Sequence, residues 1–177
     1  MRLLELAKVA LEALMRNLLS LDQSSRCVGF AVFTDGELIK YGHFTLTSDV
    51  PGRRLVKLRE TIAQLIKDYA IDTVVFEDIQ LQNNIANNVQ TFKVLAEVYG
   101  VIEEYVTELK LPNEAVYPVT WKSGVGIKGS RRAEQKKNAQ AFVKKTYGID
   151  ATEDEADAIC IGTHILKKKV SNDFDWS

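Results

Sequence analysis

Two runs of β-branched and aromatic residues meet at a two-residue turn, and that arrangement limits the fold more than any other feature of the chain. Residues 26–33 and 37–46 flank Asp35-Gly36, and Asp-Gly supplies the positive-φ backbone of a tight hairpin. A shorter apolar run, residues 17–22, precedes them, so three antiparallel strands are predicted to open the domain.

The period then changes. After Pro51-Gly52, the residues Leu55, Leu58, Ile62, Leu65 and Tyr69 recur at steps of three and four, one face of a helix. Residues 73–76 form a buried-looking strand that ends in Glu77-Asp78. A second long helix is written by Val89, Phe92, Leu95, Tyr99, Ile102, Val106 and Leu109, and a short strand is predicted at 115–117. Two helices close the chain, at about 131–147 and 153–168. Strand hairpins followed by alternating helix and strand specify an α/β domain whose mixed, five-stranded sheet is flanked by helices. Residues 118–130, with Gly124, Gly126 and Gly129, read as a mobile loop.

A chain of 177 residues with 46% hydrophobic and 27% charged residues is one ordinary globular domain. No apolar stretch reaches the roughly 18 residues a membrane span needs. Residues 1–16 read as an amphipathic helix with Leu3, Ala7, Ala10, Leu11 and Leu14 at helical spacing. Met15 stands directly before the first strand, so this segment is expected to be a dispensable extension, with the functional domain at 17–177. It carries Glu5 and Glu12 and lacks a secretory cleavage site, which makes the cytoplasm the expected compartment. Cys27 and Cys160 are too far apart in sequence for a metal-thiolate motif and are expected as buried free thiols.

Net charge is -1, from 23 basic and 24 acidic residues, and predicts no partner by itself. The distribution does. Between Trp121 and Lys145 lie Lys122, Lys128, Arg131, Arg132, Lys136, Lys137, Lys144 and Lys145 against the single acid Glu134, eight minus one, a local charge of +7. Such a cluster is a phosphate-binding surface or a solvated helix face, and a catalytic neighbour decides between them.

The neighbours are acids. Asp22 ends the apolar run Leu18-Leu19-Ser20-Leu21, and Glu77 ends Val74-Val75-Phe76. Each alone is as readily a turn former as a functional group. Asp154 and Asp157 are three residues apart and share one helix face, whereas Glu155 points elsewhere. Three or four carboxylates from separate segments, with no Cys/His cluster, suit magnesium or manganese rather than zinc. Two such ions can align a water and a leaving oxygen on a phosphodiester. A metal nuclease with a basic substrate surface accounts for both features.

In series these motifs are recognisable. The run Leu19-Ser20-Leu21-Asp22-Gln23-Ser24-Ser25-Arg26-Cys27-Val28-Gly29-Phe30-Ala31 resembles the opening motif of RuvC-type Holliday junction resolvases. Val74-Val75-Phe76-Glu77-Asp78 resembles the second acid motif of that family, and Asp154-Glu155-Ala156-Asp157-Ala158 its closing motif. The resemblance spans about residues 17–168, and Pro118-Val119-Thr120-Trp121-Lys122 through Gly126 is closest to the bacteriophage branch.

The resemblance implies a ribonuclease H-like fold and a homodimer that makes paired nicks in four-way and other branched DNA, with the helix from Val89 to Leu109 at its interface. It implies two magnesium ions per site, replaceable by manganese, with Asp22 bridging them and Glu77, Asp154 and Asp157 completing the set. In-line attack of an activated water would leave a 5′ phosphate, with no nucleotide cofactor. Lys122 and Lys128 would lie near the scissile phosphate, and Arg131, Arg132, Lys136 and Lys137 on more distant backbone. Gln80, Gln82, Asn83 and Asn84 occupy the position of the junction-contacting loop, here amide-rich rather than aromatic.

Other conspicuous residues carry plainer readings. His164 is expected as a packed helix histidine, His43 as an ordinary strand residue, and Trp121 as a core or loop-anchoring aromatic rather than a base-stacking one. Gly124-Val125-Gly126 is too short for a nucleotide loop, and Lys167–Lys169 are a solvated helix end. Three rivals to a resolvase remain: a flap- or RNA-directed nuclease of the same fold, a non-catalytic branched-DNA-binding protein, and an actin-type ATPase lobe. The last needs a second lobe for which 177 residues leave no room.

Overall fold

The computed structural model describes residues 16–79 and 85–174. Except for Arg16, the expected N-terminal extension lies outside the described residues, as do Gln80, Gln82, Asn83 and Asn84.

Three strands open the domain, β1 (Asn17–Gln23), β2 (Cys27–Thr34) and β3 (Glu37–Thr45). Asp35 and Gly36 adopt φ of 50° and 84° at the hairpin, as the Asp-Gly pair requires. Helix α1 (Pro51–Asp68), strand β4 (Thr73–Glu77), helix α2 (Ile85–Glu108) and strand β5 (Asn113–Val116) follow. The chain closes with α3 (Pro118–Val125), α4 (Arg132–Tyr147) and α5 (Glu153–Phe174). Among the described residues no helix is long and apolar enough to cross a membrane.

The sheet order is β3-β2-β1-β4-β5, antiparallel among the first three strands and parallel from β1 to β4 and from β4 to β5. Strand alternation divides the core in two. Leu19, Leu21, Val28, Val32, Val74 and Phe76 face α1 and α2 through Leu58, Ile62, Val98, Ile102 and Val106. Leu18, Ala31, Phe33 and Val75 face the other way, onto Trp121, Val125, Ala139, Val143, Ile159 and Ile161 of α3, α4 and α5.

One expectation is corrected. The segment taken for a mobile loop, 118–130, begins with a helix, because Pro118 sits at its first position with φ already suited to a helix, and Gly126 ends it in the left-handed region at φ 81°. Cys160 is buried as expected, but Cys27 is only half-buried.

Candidate active site

The alternation that builds the core also aims the acids. Leu18, Ser20 and Asp22 share the α5 face of β1, and Val75 and Glu77 share it on β4. The parallel ladder joins Ser20 to Val75 and Leu21 to Phe76, so the strands leave their last rung with Asp22 and Glu77 side by side at the carboxyl end of the sheet.

Helix α5 is pulled against that end. Ser20 Oγ donates to the Ala158 carbonyl at 2.7 Å. At the helix start, a methyl group on Gly29 would lie 2.0 Å from the Asp154 carbonyl oxygen, so β2 and α5 approach to a distance only glycine permits. Thr152 and Glu155 cap the helix reciprocally: Thr152 N–H donates to Glu155 Oε2 at 2.9 Å, and Glu155 N–H to Thr152 Oγ1 at 3.4 Å. Glu155 also meets His43 Nδ1 at 2.8 Å, which ties α5 to β3. Burial opposes ionisation of Glu155, but the bonds from Thr152 and His43 prevail and hold its carboxyl below the usual range.

Asp22, Glu77, Asp154 and Asp157 line one cavity of about 690 Å³. The side chains of Asp22 and Asp157 are 12% and 5% exposed. Burial, then repulsion from Glu77 and Asp157, pushes the Asp22 carboxyl well above its usual range against the opposing pull of Lys136. Burial likewise raises Asp157 against Lys136 and Lys122, and raises Glu77 against a hydrogen bond from Trp121.

The basic residues divide between cavity and surface. Lys122, Lys128, Arg132 and Lys136 line the cavity. Arg131 and Lys137 are exposed outside it. Lys136 departs furthest from its expected place on distant backbone: its ammonium ion-pairs with Asp157, stands 3.9 Å from Asp22 Oδ2, and is only 15% exposed. Burial disfavours its charge, but Asp22 and Asp157 outweigh that and raise its pKa. Lys122 Nζ donates to Gln135 Oε1 at 3.1 Å.

Trp121 is the core aromatic expected of it, but two contacts to Glu77 were not foreseen. Trp121 is fully buried, and its indole N–H donates to Glu77 Oε2 at 2.8 Å. The Gln23 side chain spans the backbone of Glu77, accepting its N–H at 3.2 Å and donating to its carbonyl. Nothing in the pattern announces either contact. Cys27 also adjoins the site, and burial, with Asp154 next to its thiol, pushes its pKa up to about 12. His164 packs against Gly124, where a methyl would lie 1.9 Å from its Nδ1.

Among the described residues no three acidic, histidine or cysteine side chains already converge as a formed metal site, and an ammonium stands among the carboxylates instead. The donor set nonetheless fits a hard divalent cation. Several buried carboxylates that repel one another, with no thiolate or imidazole among them, are short of positive charge and offer oxygen only.

The family model of crossover junction endodeoxyribonuclease RuvC matches residues 18–164. A crossover junction endodeoxyribonuclease RuvC from Thermomicrobium roseum is 24% identical over 147 residues, 81% of this chain and 88% of that protein. The structure of T. thermophilus RuvC in complex with Holliday junction substrate superposes with a TM-score of 0.69 at 14% identity, covering 87% of this chain and 95% of that one. Fowlpox virus resolvase, solved with Holliday junction DNA, gives 0.54 at 14% identity over 87% and 99%. With its mixed sheet and strand-end acids spanned by the family match, the chain belongs to the RuvC family of divalent-metal-dependent crossover junction endodeoxyribonucleases.

Proposed function

We propose that residues 17–177 form a nuclease domain that cuts four-way DNA junctions by paired nicks, and that Asp22, Glu77, Asp154 and Asp157 are its metal ligands. The observation that carries this is the meeting of these four acids, drawn from β1, β4 and α5, in one cavity that Lys122, Lys128, Arg132 and Lys136 also line. Magnesium, with manganese as substitute, suits the all-oxygen donors, two ions to each site. Ions bound there supply Lewis-acid charge to the phosphodiester and acidify the attacking water.

The chain's own part follows from its charges. The buried carboxylates hold the cations, while Lys136 keeps the site from carrying their full negative charge. Lys122, Lys128 and Arg132 draw the phosphate backbone into the cavity, and Arg131 and Lys137 extend the basic surface beyond it. Gln80, Gln82, Asn83 and Asn84 contact the branch point. Paired cuts need two sites, and we assign the dimer interface to α2, on which Val89 and Leu109 beyond its end are 58% and 41% exposed. Residues 1–16 are an appendage to this domain. Two free cysteines suit a reducing cytoplasm.

The test is cleavage of a labelled immobile four-way junction beside matched duplex and flap, in magnesium or chelator, by the unmodified protein and Asp22→Asn. Paired nicks that require both magnesium and Asp22 are expected, with junction binding by Asp22→Asn intact. Junction binding without any cleavage would identify a binding protein, and equal cutting of all substrates a general branch nuclease; either overturns the proposal.

A further inference from the structure

Glu77 differs from the other three acids in how it is held. It stands one residue beyond the last β1–β4 rung, Leu21 with Phe76, where strand pairing no longer fixes it from the β1 side. The Gln23 side chain takes over there. Its amide oxygen accepts the Glu77 N–H at 3.2 Å and its amide nitrogen donates to the Glu77 carbonyl, so one side chain reproduces both bonds of a missing rung.

The carboxylate is held from the opposite side. Trp121 is fully buried among apolar side chains, and its indole N–H finds its partner in Glu77 Oε2 at 2.8 Å. A charge-assisted bond of this length fixes the rotation of the carboxyl group. Among the described residues no hydrogen bond is made to Oε1, and Glu77 lines the cavity with the other acids. One oxygen is therefore anchored and the other is left for a ligand. The Lys122 ammonium lies 5.3 Å from the centre of the Trp121 ring, which joins the anchor to the basic wall.

We infer that Gln23 and Trp121 are positioning residues that clamp Glu77, backbone and carboxylate, so that its other oxygen would be free to take a divalent cation in the cavity. This rests on the assignment of Glu77 as a metal ligand. A fixed ligand binds its cation without first giving up rotational freedom, so loosening either half of the clamp weakens metal binding before it affects DNA.

The test uses Trp121→Phe, which keeps an aromatic ring and removes only the donor, and Gln23→Met, which keeps the length and removes both bonds. Manganese binding is followed by the electron paramagnetic resonance of the free ion, and junction cleavage is measured against magnesium concentration. Each variant is expected to raise the manganese dissociation constant and the half-saturating magnesium concentration about five- to tenfold, with junction affinity in chelator unchanged. In a Glu77→Gln background, adding Trp121→Phe should leave manganese affinity where Glu77→Gln alone put it. Gln23→Met, at the sheet end, keeps the inference testable if Trp121→Phe fails to fold. Unchanged manganese affinity in Gln23→Met, or further weakening when Trp121→Phe is added to Glu77→Gln, would overturn it. So would the absence of manganese binding by the unmodified protein. An unmodified protein that binds manganese but leaves junctions uncut defeats the proposed function and leaves the clamp standing.

Discussion

Lys136 Nζ stands 3.9 Å from Asp22 Oδ2 while ion-pairing with Asp157, so a cation of α4 is lodged between an acid of β1 and an acid of α5. Replacing it leaves two nearly buried carboxylates without that partner. Lys136→Gln is therefore expected to lower stability by about 2–3 kcal/mol, and to slow junction cleavage by about a hundredfold through loss of charge facing the phosphate. Junction affinity in chelator should change little, because Lys122, Lys128 and Arg132 remain in the cavity wall. Unfolding in denaturant and single-turnover cleavage measure the two effects; cleavage at the unmodified rate would place the ammonium outside the reaction.

The same crowding fixes the sign of the pH dependence. Asp22, Asp157 and Glu77 all have carboxyls raised above their unfolded values, so at these three groups the folded protein binds more protons than the unfolded chain. Their contribution to stability is complete below the unfolded pKa of about 4 and is lost as pH rises through the folded values. In chelator, Asp22→Asn should remove the Asp22 share of that loss and be more stable than the unmodified protein by about 1–2 kcal/mol near pH 7. The difference should shrink toward pH 4 and reverse when magnesium is added, because the cation stabilises only the intact site. Denaturant midpoints across pH decide it, and an Asp22→Asn protein less stable than its parent at pH 7 in chelator would count against the electrostatics described here.

How much of this could be read beforehand depends on whether a signal is periodic. Asp22 and Glu77 were legible because each ends an apolar strand, and Asp154 with Asp157 because a spacing of three fixes their shared face. The hairpin, both long helices and the parallel continuation of the sheet follow from alternation and helical period in the same way. The place of Lys136 was not legible. In sequence it is one of eight basic residues, and only the packing of α4 on α5 separates it from its exposed neighbour Lys137. Trp121 was legible as a core aromatic, but its bond to Glu77 and the role of Gln23 were not, for a related reason: the two act on Glu77 across 44 and 54 residues, and no local pattern encodes a hydrogen bond of that range. Helix α3 was hidden by its glycines, although Pro118 at its start and Gly126 past its end are the marks of a helix and not of a loop.

The contact of Gly29 with Asp154 makes a steric prediction. A methyl group 2.0 Å from a backbone carbonyl oxygen cannot be relieved by turning a side chain, so β2 and the start of α5 must move apart. Gly29→Ala is expected to cost about 2–3 kcal/mol in stability. It should slow cleavage about a hundredfold, since displacement of the reacting groups by about 1 Å has that effect. Gly36→Ala is the matched control, because nothing lies within 4 Å of its added methyl, although its φ of 84° brings strain of its own. A Gly29→Ala protein that cuts junctions at the parent rate would show that α5 tolerates the shift and that Asp154 needs no such exact placement.

Arg131 and Arg132 separate binding from chemistry. Both are exposed at the start of α4, and Arg132 also lines the cavity, while neither is an ion-pair partner of the acids. If both lie on phosphates, the double change to alanine removes about two contacts, and the slope of log affinity against log salt should flatten by about 1.8. Affinity at low salt should fall about tenfold or more, and single-turnover cleavage of saturated junction by no more than about threefold. Titrations of junction in chelator across a range of salt concentrations give the slope directly. An unchanged slope would mean that the two guanidinium groups face solvent in the complex, and that the DNA path runs through Lys122 and Lys128 instead.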